Sequence, residues 1–152
     1  MDERHAKHPL TTAPGVFALV LWSLYLLLAL KNLPDLPQRV MINGFFGLLA
    51  CLALVLKSKY WRAAVVLASS VYLVTYVVLV GRMAMMVTGG GTSLPTALSF
   101  YYTNSWVVAA GTFHERGLVE GIAYAFLEYG MPVLSVILII VTLMSRRRSA
   151  NR

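Results

Sequence analysis

The chain has 152 residues, of which 59% are hydrophobic and only 12% charged, whereas charged residues alone make up about a quarter of an ordinary soluble domain. Water is therefore not its only solvent: a helix crosses a bilayer with about 20 mostly apolar residues, and four stretches approach that length. The formal charge of +7 does not point to nucleic acid, because the basic residues flank the apolar segments instead of lining one polar face.

The first apolar run, Gly15 to Leu30, follows Arg4 and Lys7 as the core of a secretory signal would. It closes on Leu27-Leu28-Ala29-Leu30-Lys31 without an A-x-A cleavage site, so the helix is expected to be retained. Pro14 suits its first turn, where a missing N–H costs little. Pro34-Asp35-Leu36-Pro37 then makes a tight turn, and a second span begins at Val40. In that span Asn43, Gly44, Gly47 and Cys51 place small or hydrogen-bonding groups near one face; Cys51 is the sole cysteine, which excludes an internal disulfide. Lys57-Ser58-Lys59-Tyr60-Trp61-Arg62 has the cations and amphipathic rings that a membrane interface selects. The third span carries Ser69, Tyr72 and Tyr76 along a polar edge. Both polar faces read first as helix packing and second as a cavity lining.

Arg82 to Gly121 reads as neither span nor turn. Thr88-Gly89-Gly90-Gly91-Thr92 is flexible by composition, and Leu94-Pro95 opens a helix with Ser93 as N-cap. Leu98, Tyr101, Tyr102, Ser105, Trp106 and Ala109 recur at helical spacing as an aromatic stripe, too polar and too short for a fifth span. The segment from Leu94 to Gly111 is expected either to lie in the outer membrane interface or to pack across the mouth of a bundle. The last helix is expected from Gly117 to Met144, with Gly130 and Pro132 loosening or kinking it. Gly117, Gly121 and Ala125 form a small-residue stripe there, and Glu120, Tyr124 and Glu128 a polar one.

The fold expectation is an all-α, polytopic four-transmembrane-helix bundle with an extra amphipathic interfacial helix between the third and fourth spans. Its parts are a tail at 1–12, spans at about 13–30, 40–56, 63–81 and 122–144, an outer segment at 82–121 and a basic tail at 145–152. Arg4, Lys7, Lys57, Lys59, Arg62, Arg146, Arg147, Arg148 and Arg152 fall on one side, against Lys31, Arg39, Arg82 and Arg116 on the other. Nine against four places both termini in the cytoplasm, and a bacterial inner membrane is the location this composition suggests.

Glu128 is the sharpest chemical signal, since a carboxylate below the interface is costly and usually faces protein or trapped water. It reads as an ion pair with Arg82, as a solvated residue if the boundary is one turn off, or as a proton or substrate group. His114-Glu115-Arg116 lacks a second histidine at ligand spacing, so no H-E-x-x-H zinc site is present; Gly89-Gly90-Gly91 lacks the Lys-Ser/Thr of a P-loop, and no G-x-S-x-G elbow occurs. The sequence therefore favours a membrane accessory, assembly or immunity-type protein with no cofactor or metal. Its partners would be the lipid bilayer and another protein, met through Tyr101, Tyr102, Trp106, His114, Glu120 and Tyr124. A small oligomeric transporter or channel using Glu128, Arg82 and the Tyr72/Tyr76 edge is the alternative, and a lipid-modifying enzyme built on His114, Glu115 and Glu120 a third.

The charge asymmetry is testable in intact cells. Single cysteines at Ser58 and Ser149 in a Cys51→Ala background should resist an impermeant thiol reagent while one at Ser93 reacts; labelling at 58 from outside would overturn the topology.

Overall fold

A computed structural model of the chain describes residues 9–31, 38–87 and 93–150. The tail 1–8 with His5 and His8, the 32–37 turn, the glycine-rich 88–92 stretch and residues 151–152 lie outside the described residues, as do the side chains of Lys31, Arg39, Trp106, Arg116 and residues 146–148. Every regular element described is helical: α1 (Ala13–Lys31), α2 (Gln38–Val55), α3 (Trp61–Val87), α4 (Leu94–Arg116), α5 (Leu118–Ala125) and α6 (Met131–Ala150). A 3₁₀ turn, Pro9–Thr11, precedes α1, and a π-turn, Phe126–Gly130, joins α5 to α6. Two helical stretches are long and apolar enough to cross a membrane, Trp61–Met86 and Leu118–Ser145; Ala13–Leu28 and Val40–Val55 are shorter apolar helices.

Helix ends follow from local chemistry. Thr12 caps α1: its hydroxyl oxygen accepts the Gly15 N–H at 3.3 Å and its O–H donates to the Pro9 carbonyl at 2.6 Å. That fold-back leaves no space at Gly15, where a methyl would collide with the Pro9 carbonyl oxygen. At the end of α2, the Ser58 N–H donates to the Ala53 carbonyl at 2.9 Å and the Lys57 N–H to Leu54 at 3.3 Å, the paired bonds of a Schellman turn. Lys57, at φ 57°, holds the left-handed position that glycine usually takes. Ser93 stands at the cap position of α4 but bonds the Thr96 hydroxyl at 2.9 Å and no backbone amide. Pro95 removes one amide that a cap would satisfy.

The chain divides into two compact units, Met1–Tyr72 with Leu134–Arg152, and Leu73–Val133. In the first, α1 and α2 pack side by side and each buries a stripe at helical spacing: Ala18, Leu21, Trp22 and Tyr25 from α1, and Asn43, Ala50, Cys51 and Leu54 from α2. Trp22, Tyr25 and Tyr72 meet edge to face, with centroids 5.6, 6.4 and 5.6 Å apart. Asn43, Ser69, Ser135 and Thr142 are also buried in this unit. Outward instead point Val16, Val20, Leu24 and Leu27 of α1, Phe45, Leu48 and Leu52 of α2, and Val136, Ile137, Ile140 and Leu143 of α6. The small face of α2 is thus a packing face, and the Cys51 thiol sits 4.0 Å from the Ser23 hydroxyl. In the basic turn, Trp61 is buried under the Arg62 guanidinium, 5.2 Å from its ring, while Tyr60 is exposed.

Two sequence expectations about the outer segment change. The third helix continues six residues beyond Gly81, to Val87, and α4 runs to Arg116 instead of ending at Gly111. Its 23 residues are long enough for a span by length, and what disqualifies it is composition. Nor is it amphipathic, because its apolar residues spread around the helix and do not gather on one face.

Two glycines of α2 separate close packing from helix propensity. A methyl at Gly47 would lie 2.5 Å from Cε3 of the fully buried Trp22, whereas one at Gly44 meets only Leu26 Cδ2 at 3.9 Å. Gly47→Ala should cost about 1–3 kcal/mol by overpacking, and Gly44→Ala should gain about 0.5–1 kcal/mol. Unfolding midpoints in a detergent titration would show the two shifts with opposite sign.

Candidate functional site

Pro132 has no N–H, so the backbone carbonyl of Glu128, four residues earlier, lacks its α-helical donor. The helix adjusts around this gap. Met131 N–H reaches the Phe126 carbonyl five residues back, which is the bond of a π-turn, and the Tyr76 hydroxyl donates to the Glu128 carbonyl at 2.8 Å. A side chain from α3 therefore completes the backbone bonding of the last helix. Tyr76 is itself 3.3 Å from the Tyr102 hydroxyl on α4. With the Tyr76 proton committed to the carbonyl, Tyr102 is the donor of that pair.

The Glu128 side chain is 6% exposed, and the Tyr101 hydroxyl donates to its Oε1 at 2.6 Å, a short O–H···O bond. Ring contacts close the cluster: Tyr101 against Tyr102 edge to face at 5.5 Å, and Tyr102 against Tyr129, tilted by 38°, at 6.3 Å. Adjacent residues of α4 thus take separate tasks, Tyr101 on the carboxylate and Tyr102 on the Tyr76 hydroxyl. All five residues belong to the unit Leu73–Val133.

Arg82 is not in this cluster. It is exposed, and no ion pair joins it to Glu128 among the described residues. Rise and rotation both explain the separation. Tyr76 marks the level of Glu128 on α3, and Arg82, six residues on, lies about 9 Å further along the axis. The buried positions Tyr72, Tyr76, Val80 and Ala84 define the inward face of α3, and Arg82 is turned about 200° from Val80.

The other candidate residues disperse. Tyr101 is half-buried, Tyr102 is 39% exposed at the rim, Glu120 and Tyr124 are half-buried on α5, and His114 with Glu115 is exposed near the end of α4. The Trp106 side chain is outside the described residues. No group of three or more His, Cys, Asp or Glu capable of holding a metal occurs among the described residues. Sequence reading passed over Tyr129 and grouped Tyr76 with Glu128 only as parts of a transport pathway, not as a hydrogen-bonded pair. The available signal was Pro132 itself, which orphans the carbonyl of the residue four positions before it. The chain matches no protein-family model, no curated protein and no solved structure.

Removing the Tyr76 hydroxyl leaves a buried carbonyl without its donor, so Tyr76→Phe should cost about 1–3 kcal/mol. In a Pro132→Ala background, which restores an N–H, the same change should cost clearly less, and the double-mutant cycle of unfolding energies measures the difference. Adding Arg82→Ala to Glu128→Ala should recover no stability.

Proposed function

We propose that this chain is a four-span membrane protein with cytoplasmic termini that docks a protein partner on its outer side, as an accessory, assembly or immunity-type factor of a bacterial inner membrane. Support for four spans is the outward aliphatic surface of α1 and α2, which matches that of the longer apolar helices: Val20 is 60% exposed, Leu27 63% and Phe45 59%. Water-soluble surfaces rarely carry contiguous patches of this kind, and acyl chains cover them at no cost. The charge asymmetry between loops supplies the orientation.

The observation that carries the partner reading is the surface of α5. About 20 residues counted back from Ser145 reach Phe126, so α5 projects beyond the hydrocarbon. Its exposed residues there are nevertheless Leu118, Val119 and Ile122, at 68, 70 and 54% exposure, while Gly121 is buried and Glu120 half-buried. An aliphatic turn in water is unfavourable by about 25 cal/mol for each Å² left uncovered, and a protein surface removes that cost. The exposed Tyr102 and His114 of α4 give the same side a polar rim, as interfaces commonly have.

A photo-crosslinking residue at Val119 in native membranes should give a discrete protein adduct, and one at Val136 on α6 should give lipid adducts only. No protein adduct at Leu118, Val119 or Ile122 would remove the partner reading. A transport role is the second reading, favoured by the buried carboxylate of Glu128.

A further inference from the structure

We propose that Glu128, Tyr101, Tyr102 and Tyr129 form a binding site for a lipophilic organic cation of the quaternary ammonium or phosphonium type. The argument begins with charge. Glu128 is almost fully buried, its only hydrogen-bonded side-chain oxygen is Oε1, and no ion pair involves it among the described residues. A carboxylate buried without a cationic partner in the fold can be matched by a positive charge from outside it. Three surroundings point to the class of cation.

First, the rings beside the carboxylate are tyrosines, Tyr101 against Tyr102 and Tyr102 against Tyr129. Their faces carry negative quadrupole density that attracts a cation and repels an anion. Second, one carboxylate without a further His, Cys, Asp or Glu cluster is too poor a ligand set for a divalent metal, which needs several hard or imidazole donors. An organic cation needs a single counter-charge and aromatic contact area. Third, Glu128 is 6% exposed, whereas Tyr102, linked to the Glu128 backbone through the Tyr76 hydroxyl, is 39% exposed, so the cluster reaches from a buried carboxylate to an exposed ring. The Tyr101 hydroxyl holds Oε1 and leaves Oε2 to the ligand. Tyr76 acts from behind, since its hydroxyl fixes the Glu128 backbone and thereby the side chain's origin.

This inference is independent of the partner-binding reading, because it concerns the Glu128 cluster and not the surface of α5. Equilibrium dialysis of the full chain in neutral detergent with radiolabelled tetraphenylphosphonium, a permanent cation, tests it. Saturable binding of one cation per chain is expected. Glu128→Gln preserves an acceptor for Tyr101 while removing the charge, and it should weaken binding roughly tenfold or more with an unchanged unfolding midpoint. Tyr102→Leu removes the rim ring without touching the carboxylate, so it serves if the first variant fails to fold; it should weaken binding roughly threefold or more. Arg82→Gln should bind as the parent does. Absence of saturable binding by the parent chain would overturn the proposal. Equal binding by folded Glu128→Gln, or by folded Tyr102→Leu if only that variant folds, would do the same by showing partition into the micelle alone.

Discussion

In surroundings without water, a backbone carbonyl that loses its helical donor must find another or cost the helix more than one ordinary bond is worth. Pro132 creates that situation at Glu128, and the arrangement of the unit Leu73–Val133 can be read as its solution. The π-turn reroutes one amide to Phe126, and Tyr76 brings a hydroxyl from α3 to the orphaned oxygen. Once Tyr76 is committed, Tyr102 hydrogen-bonds to Tyr76 and its neighbour Tyr101 falls on the carboxylate. Three helices are tied to one point by hydroxyl groups, each replacing a contact that aliphatic side chains could make only without direction.

The other unit is organised by shape. Small and aromatic residues face inward, with the fully buried Trp22 seated over Gly47 and in edge contact with Tyr25 and Tyr72. Leu21, Leu54, Val65 and Leu138 join them, while many other branched aliphatics face out. Under the proposed membrane reading, acyl chains would cover the outward aliphatics, which would then gain little from moving inward, and close approach and ring packing would decide what is buried. A stripe of small residues on α2 is in this setting the mark of a close neighbour.

How much of this was legible before any coordinates depended on the kind of signal. Helices α1 and α2 follow from the length of their apolar runs, and the break near Gly130 and Pro132 follows from backbone chemistry. The burial of Glu128 was also foreseeable by counting from the basic tail. Its partner was not, because depth counting treats a helix as ending where apolarity ends, whereas α3 continues to Val87 and carries Arg82 past the site to an exposed position. The role of Tyr101 was hidden for another reason. Sequence periodicity groups Tyr101 and Tyr102 into one stripe, while side-chain hydroxyl contacts at the ring tip reach far enough to divide them.

Lys57 joins three demands in one position. The α2–α3 turn requires a left-handed residue there, and an L-residue with a Cβ costs about 1–2 kcal/mol in that conformation. The carbonyl end of α2 carries the negative pole of the helix macrodipole, where an ammonium group contributes about 0.3–1 kcal/mol. In the proposed topology a basic residue in this loop would also help decide which way the chain threads through a bilayer. Glycine would satisfy the turn and forfeit the other two. Under that topology the lysine would be a compromise in which part of the folded chain's stability is exchanged for reliability of insertion, a property exercised once in the life of the molecule.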